Sequence, residues 1–152
     1  MTKISDHFTL EELTRSEIAA RRGIPNDPPP ELLANLQRIA EFLELVRVRL
    51  GYNQVIVHSA YRAPEVNALV GGVKTSAHCK ALAADIVCPG YGAPYSIARA
   101  IADTPELLAQ VDQLILEYGW LHCGLAENGK APRHQLLTKR SAASPYETGL
   151  VV

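Results

Sequence analysis

Gln113-Leu114-Ile115-Leu116-Glu117-Tyr118-Gly119-Trp120-Leu121-His122-Cys123-Gly124-Leu125 is the stretch whose reading decides the fold. Two mainly apolar runs, Gln113 to Glu117 and Trp120 to Leu125, flank Tyr118-Gly119, a pattern that predicts two antiparallel strands joined by a tight hairpin. With Tyr118 and Gly119 as the loop, Glu117 pairs with Trp120. Strand alternation then puts Glu117, Trp120 and His122 on one face and Cys123 on the other. Glu117 and His122 become diagonal neighbours at roughly 7–8 Å between backbones, within reach for the carboxylate to take a proton from water on a metal held by His122.

Outward from the hairpin, Ala83-Ala84-Asp85-Ile86-Val87 reads as a short strand, Pro94 to Ala102 as a helix, and Gln135 to Thr138 as one more strand. Val55-Ile56-Val57 reads as a strand that runs through Ser59-Ala60-Tyr61-Arg62 into a turn before Pro64, with a short helix over Glu65 to Leu69. Nearer the N-terminus, Thr9-Leu10-Glu11-Glu12 fits a capping box that opens a helix ending near Gly23. The run Pro25-Asn26-Asp27-Pro28-Pro29-Pro30 separates it from a long core helix that starts inside the prolines and ends before Gly51. That helix carries Leu32, Leu33, Leu36, Ile39, Ala40, Leu43 and Leu50 on one apolar face. Helices first and short strands later predict an α+β fold, with helices packed on one face of a small antiparallel sheet.

The chain has 152 residues, and at that size a single core can bury roughly 68–70% of the unfolded surface without staples. We therefore expect one domain over residues 1–152. The net charge of −1 supplies no basic excess for a phosphate backbone, so nucleic acid is not an expected partner. No run approaches the ~20 apolar residues of a membrane span, and the first residues lack the apolar core of a leader, so a soluble product made in the cytoplasm is expected. Three cysteines, Cys79, Cys88 and Cys123, suit a reducing compartment and free thiols. Nothing calls for an obligate partner, so a monomer is expected.

His78, Asp85 and His122 stand out chemically. Two imidazoles and a carboxylate form a ligand set that holds one Zn²⁺ and leaves a position open for water. Spacing alone also allows a surface histidine and a capping aspartate. A rival zinc site built from Cys79 and Cys123 with their histidine neighbours is disfavoured, because adjacent strand residues face opposite ways. Of the other histidines, His58 could line the cleft but is rather expected to finish a buried strand, and His7 and His134 are expected to lie on the surface.

Ser76-Ala77-His78-Cys79-Lys80-Ala81-Leu82-Ala83-Ala84-Asp85-Ile86 resembles the S-x-H-x-x-G-x-A-x-D signature of the zinc D-alanyl-D-alanine peptidases. That family includes D-Ala-D-Ala carboxypeptidases, the dipeptidases of vancomycin resistance, and phage endolysins that cut peptidoglycan stem peptides. Further segments agree in order: His7-Phe8-Thr9-Leu10-Glu11-Glu12-Leu13, Ser59-Ala60-Tyr61-Arg62-Ala63-Pro64 with Asn67, Gly71-Gly72, and Trp120-Leu121-His122. The resemblance extends from about residue 7 to about residue 138, and it is similar in particular to the compact branch found in phages and prophages.

The resemblance implies that His78, Asp85 and His122 are zinc ligands and that Arg62 binds a substrate carboxylate or carbonyl oxygen and steadies the oxyanion. It implies a substrate-contacting hydroxyl at Ser76, where a turn or cap role is the alternative. Tyr61 would wall the substrate site or simply pack, and Trp120 would floor the cleft or shield the metal. Glu117, supported by the hairpin geometry, would be the general base. The implied activity is zinc-dependent hydrolysis of peptidoglycan stem peptides, by a domain without a separate wall-binding module that reaches the wall through release or export by another factor. The alternative is a non-catalytic, zinc-containing wall-binding module of the same fold. Two departures matter. Ala81 replaces the signature's glycine, which asks whether the backbone there needs positive φ. Several branches of the family also place an acid three residues before the last histidine, where this chain has Gly119.

Overall fold

The computed structural model describes residues 1–152. Thr9 makes the expected capping box: its Oγ1 accepts from the Glu12 N–H at 3.1 Å, while the Glu12 carboxylate accepts from the Thr9 N–H at 3.3 Å. The helix it starts, α1 (Leu10–Thr14), is shorter than expected. Arg15 is extended, and Ser16 caps a second helix, α2 (Glu17–Arg22), by accepting from the Ala19 N–H. One expected helix is therefore two, because a serine hydroxyl competes for backbone donors and restarts the helix. Gly23 closes α2 at φ +65°, the left-handed conformation glycine adopts without steric cost.

The proline run ends in a 3₁₀ turn, Pro30–Leu32, that feeds α3 (Leu33–Arg49). Leu36, Ile39, Ala40, Phe42, Leu43 and Val46 are its buried stripe. Leu33, expected on that stripe, is exposed. The chain continues through β1 (Ile56–Ser59), α4 (Pro64–Leu69), a 3₁₀ turn at Ala77–Lys80, β2 (Ala83–Val87), α5 (Pro94–Ala102) and the single-turn α6 (Pro105–Leu108). Then come β3 (Val111–Leu116), β4 (Leu121–Leu125), β5 (Gln135–Thr138) and β6 (Glu147–Thr148).

The six strands form one sheet in the order β1-β2-β4-β3-β5-β6. The fold is α+β, as the sequence predicts. One pairing departs from the expected antiparallel pattern: β5 runs parallel to β3, with Gln113 opposite Gln135 and Leu116 opposite Thr138. The cause is local. Arg133, at the end of the loop after β4, forks onto the Asp112 carboxylate at 2.8–3.2 Å, and the His134 N–H donates to the Val111 carbonyl. The chain is thus pinned to the start of β3 and proceeds alongside it in the same direction.

Strand alternation divides the sheet's two faces. Ala84, Ile86, Leu114, Leu121, Cys123 and Leu125 join α3 and α5 in one hydrophobic core. The opposite face carries Asp85, His122 and Ile115 side by side, since Asp85 pairs with His122 and His122 with Ile115. A register shift between Val57 and Ser59 in β1 turns His58 outward, so it is exposed rather than the buried end of a strand. No helix is long and apolar enough to cross a membrane.

Candidate metal centre

The centre is assembled from a turn and two neighbouring strands. His78 sits in the 3₁₀ turn that Ser76 caps, the Ser76 Oγ accepting from the His78 N–H at 3.2 Å. Its ring is almost wholly buried, and Nδ1 lies 2.6 Å from the Ala60 carbonyl. A carbonyl only accepts, so Nδ1 carries the hydrogen and the Nε2 lone pair is turned to the sheet. There it meets Asp85 Oδ1 at 3.3 Å. His122, directly across from Asp85, presents Nδ1 to the same oxygen at 3.0 Å. The two imidazoles meet edge to face, 5.1 Å between centroids.

The turn reaches β2 through Ala81, which lies at φ +57°. The position where the family signature has glycine does take the left-handed conformation, and here a buried alanine adopts it, at a cost of about 1–2 kcal/mol. In return, the N–H groups of Ala81 and Leu82 close onto the carbonyls of His78 and Ala77.

Electrostatics favour the ligand forms of His78 and Asp85. Burial pushes the His78 imidazole below its ordinary pKa and keeps it neutral, against the pull of Asp85. Burial raises the Asp85 carboxyl, but the two imidazoles beside it outweigh that and hold the group well below the usual carboxylate range. One nitrogen from each histidine and one Asp85 oxygen lie within 4.8 Å of one another, so the group can hold a single metal ion. Nitrogen, nitrogen and carboxylate oxygen suit zinc, and the bond from His78 Nδ1 to a backbone carbonyl is the outer support that orients a ligating imidazole.

These residues lie in a cleft of about 920 Å³. Glu117 lines it, and the hairpin register holds: the Glu117 N–H donates to the Trp120 carbonyl at 3.0 Å, and the Trp120 indole donates to Glu117 Oε2 at 3.0 Å. Burial, then the charge of Asp85, push the Glu117 carboxyl above its ordinary value, against His122, the indole hydrogen bond and Lys139. Arg62 also lines the cleft. It has no carboxylate partner, and its buried Nε has no hydrogen-bond partner.

Of the residues singled out in the sequence, His78, Asp85, His122, Arg62, Ser76, Glu117 and Trp120 share the cleft. Tyr61 does not. It is 2% exposed and packs in the core, so its place is structural rather than substrate-walling. Cys123 is fully buried on the far face from His122, which rules out the rival cysteine-containing zinc site. The sequence reading missed Lys139 and Tyr146 at the β5 end of the cleft. Only the parallel pairing of β5 with β3 brings them there, and no local pattern announces it.

The model of the family described as Peptidase M15 matches residues 6–119. The chain belongs to the peptidase M15 family. No curated protein matches it significantly. The matched span contains Arg62, Ser76, His78, Asp85 and Glu117 and stops three residues short of His122, which the structure adds by pairing β4 with β2. M15 peptidases are zinc metallopeptidases acting on peptidoglycan-type substrates, and the His-Asp-His group of this chain offers the place for one ion.

Proposed function

We propose that this M15 peptidase hydrolyses a peptide bond in peptidoglycan stem peptides, with D-Ala-D-Ala the first bond to test and L-Ala-D-Glu the second, as a carboxypeptidase or as an endolysin-type endopeptidase of phage or prophage. One observation carries the reading: the metal-competent group, a carboxylate of raised pKa and an unpaired guanidinium line the same cleft.

His78, Asp85 and His122 would hold the zinc, which when bound would lower the pKa of water and act as a Lewis acid. Glu117 takes the proton of the attacking water and returns it to the leaving amine, and burial raises its carboxyl above the ordinary value. The Trp120 indole fixes one of its oxygens, leaving the other to move the proton. Arg62 receives a substrate carboxylate or the developing oxyanion, a task suited to a planar, permanently charged donor set. Ser76 positions His78 by capping its turn, the Ser76 Oγ accepting from the His78 N–H. The domain works as a monomer on wall peptides.

Gly119, in the place where several branches of the family carry an acid, is the feature that pointed to a non-catalytic binding module. Glu117, two residues earlier and hydrogen-bonded to Trp120, supplies a carboxylate in the same cleft, and membership of a metallopeptidase family favours the enzyme. The test is mass spectrometry of purified muropeptides after incubation with the protein. The expected result is loss of one D-Ala, or a split after L-Ala, abolished by chelator and restored by zinc. Cleavage indifferent to chelator, or no cleavage of any stem peptide, would overturn the reading.

A further inference from the structure

Five lysine or arginine side chains line the cleft, and three of them are already neutralised. Lys80 and Lys130 both pair with Glu127, at 2.6 and 3.3 Å, and Arg133 pairs with Asp112 at 2.8 Å. Arg62 and Lys139 have no carboxylate within ion-pair distance.

The fold sets these two cations on either side of the metal group. Arg62 follows β1 and donates its backbone N–H to the His78 carbonyl. Lys139 follows β5, and its N–H continues the parallel ladder by donating to the Leu116 carbonyl, which places it beside Glu117. Across the sheet the order runs from β1 through β2 with Asp85, β4 with His122 and β3 to β5.

Lys139 is half-buried and held in place. Its Nζ donates to the Ser144 carbonyl at 2.8 Å and sits 4.5 Å from the centre of the Tyr146 ring. An ammonium group has three donors, so one carbonyl and one ring face leave capacity for an incoming anion. The carbonyl and the ring also fix the stem, so a ligand would not have to order a free lysine chain.

We propose that Lys139 is a specificity-determining residue that receives a second carboxylate of the substrate, at the opposite end of the cleft from Arg62. This rests on the peptidase reading above and adds the substrate class: acidic peptides with a free carboxylate some distance from the hydrolysed bond. The distance follows from the sheet. Strand β5 lies two strand spacings from β4, roughly 10 Å. An extended chain covers about 3.3–3.6 Å per residue, so the carboxylate belongs two or three residues from the cut.

The test uses synthetic wall-stem peptides that carry a free carboxylate or a carboxamide at each of those two positions in turn, with zinc-loaded wild type, Lys139→Gln and Lys139→Arg. Wild type is expected to favour the acid over the amide at one position by about tenfold in kcat/KM, mostly through KM, which is the worth of one good charged contact. Lys139→Gln is expected to cut the ratio to about twofold or less, and Lys139→Arg to keep most of it. A wild type indifferent to the amide, or a ratio unchanged in Lys139→Gln, overturns the proposal while leaving the peptidase reading intact. If no peptide is cut, the peptidase reading fails separately. Calorimetric affinities for the same acid and amide pairs then decide the role of Lys139 by the same ratio.

Discussion

Asp85 on β2 and His122 on β4 are direct register partners, with Asp85 Oδ1 3.0 Å from His122 Nδ1 and 3.3 Å from His78 Nε2. One carboxylate oxygen is therefore shared by two imidazoles that come from a turn and a strand far apart in sequence. Backbone pairing fixes the Asp85–His122 half of the group. The other half depends on the turn from Ser76 to Ala81.

Metal binding should therefore be visible as stability. A ligand bound only by the folded chain adds about 2.7 kcal/mol at a hundredfold excess over Kd, which for a domain of this size raises Tm by roughly 5–11 °C. Wild type is expected to show such a rise with zinc, reversed by chelator, in differential scanning calorimetry. Asp85→Ala and His122→Ala should lose most of it. An undiminished zinc shift in either variant would place the metal elsewhere.

Glu117 should set the acid limb of the pH–rate profile. A general base works only when deprotonated, so kcat/KM is expected to rise with pH through a value above the ordinary glutamate pKa of about 4.3, because burial and Asp85 raise this group. The Trp120 indole donates to the charged form, so Trp120→Phe should move the limb to still higher pH. Glu117→Gln is expected to lower kcat by about 10²–10⁴ with zinc still bound. Turnover that survives this change, or a limb unmoved by Trp120→Phe, would remove Glu117 from the role.

Much of this arrangement is legible in the sequence, and the reasons are local. Strand β2, helix α5 and strand β5 fall at the expected residues, since Pro94 at a helix start and the apolar runs are short-range signals. The hairpin register follows from Tyr118-Gly119 alone. What escapes the sequence is non-local or a close local contest. The break at Arg15 and Ser16 depends on a hydroxyl outcompeting helix continuation, and α6 is a single turn opened by Pro105. His58 faces solvent because of a register shift, and Tyr61 is drawn into the core. Lys139 and Tyr146 enter the cleft only because Arg133 and Asp112 pin β5 parallel to β3.

Ala81 tests the strain in the turn that carries His78. Glycine there would relieve about 1–2 kcal/mol of left-handed strain, but it gives up a buried methyl worth about 0.8 kcal/mol and adds about 0.5–1 kcal/mol of chain entropy. Ala81→Gly should thus leave the urea midpoint nearly unchanged. Ala81→Val adds a β-branched side chain at φ +57° inside a filled core, so a loss of more than about 2 kcal/mol and weaker zinc binding are expected. A valine variant as stable as wild type would mean that the turn relaxes freely.

The Asp112–Arg133 pair should contribute a pH-dependent part of the stability. Hydrogen bonds from the Arg133 side chain, partly opposed by burial, hold the Asp112 carboxyl below its ordinary value. A carboxyl whose folded pKa is depressed contributes fully above its unfolded pKa of about 3.9, and that contribution is lost as pH falls through the lower folded value. Because the Arg133 side chain is 61% exposed, screening limits the contribution to about 1 kcal/mol or less. Asp112→Asn is therefore expected to lose up to about 1 kcal/mol at pH 7 by urea denaturation, with the gap to wild type closing below about pH 4. The same pair pins β5 to β3 and so holds Lys139 beside Glu117. Asp112→Asn should consequently also weaken the preference for free-carboxylate peptides. A gap that persists unchanged at pH 3 would show that shape or the backbone hydrogen bond of Arg133, and not the ion pair, supplies the stability.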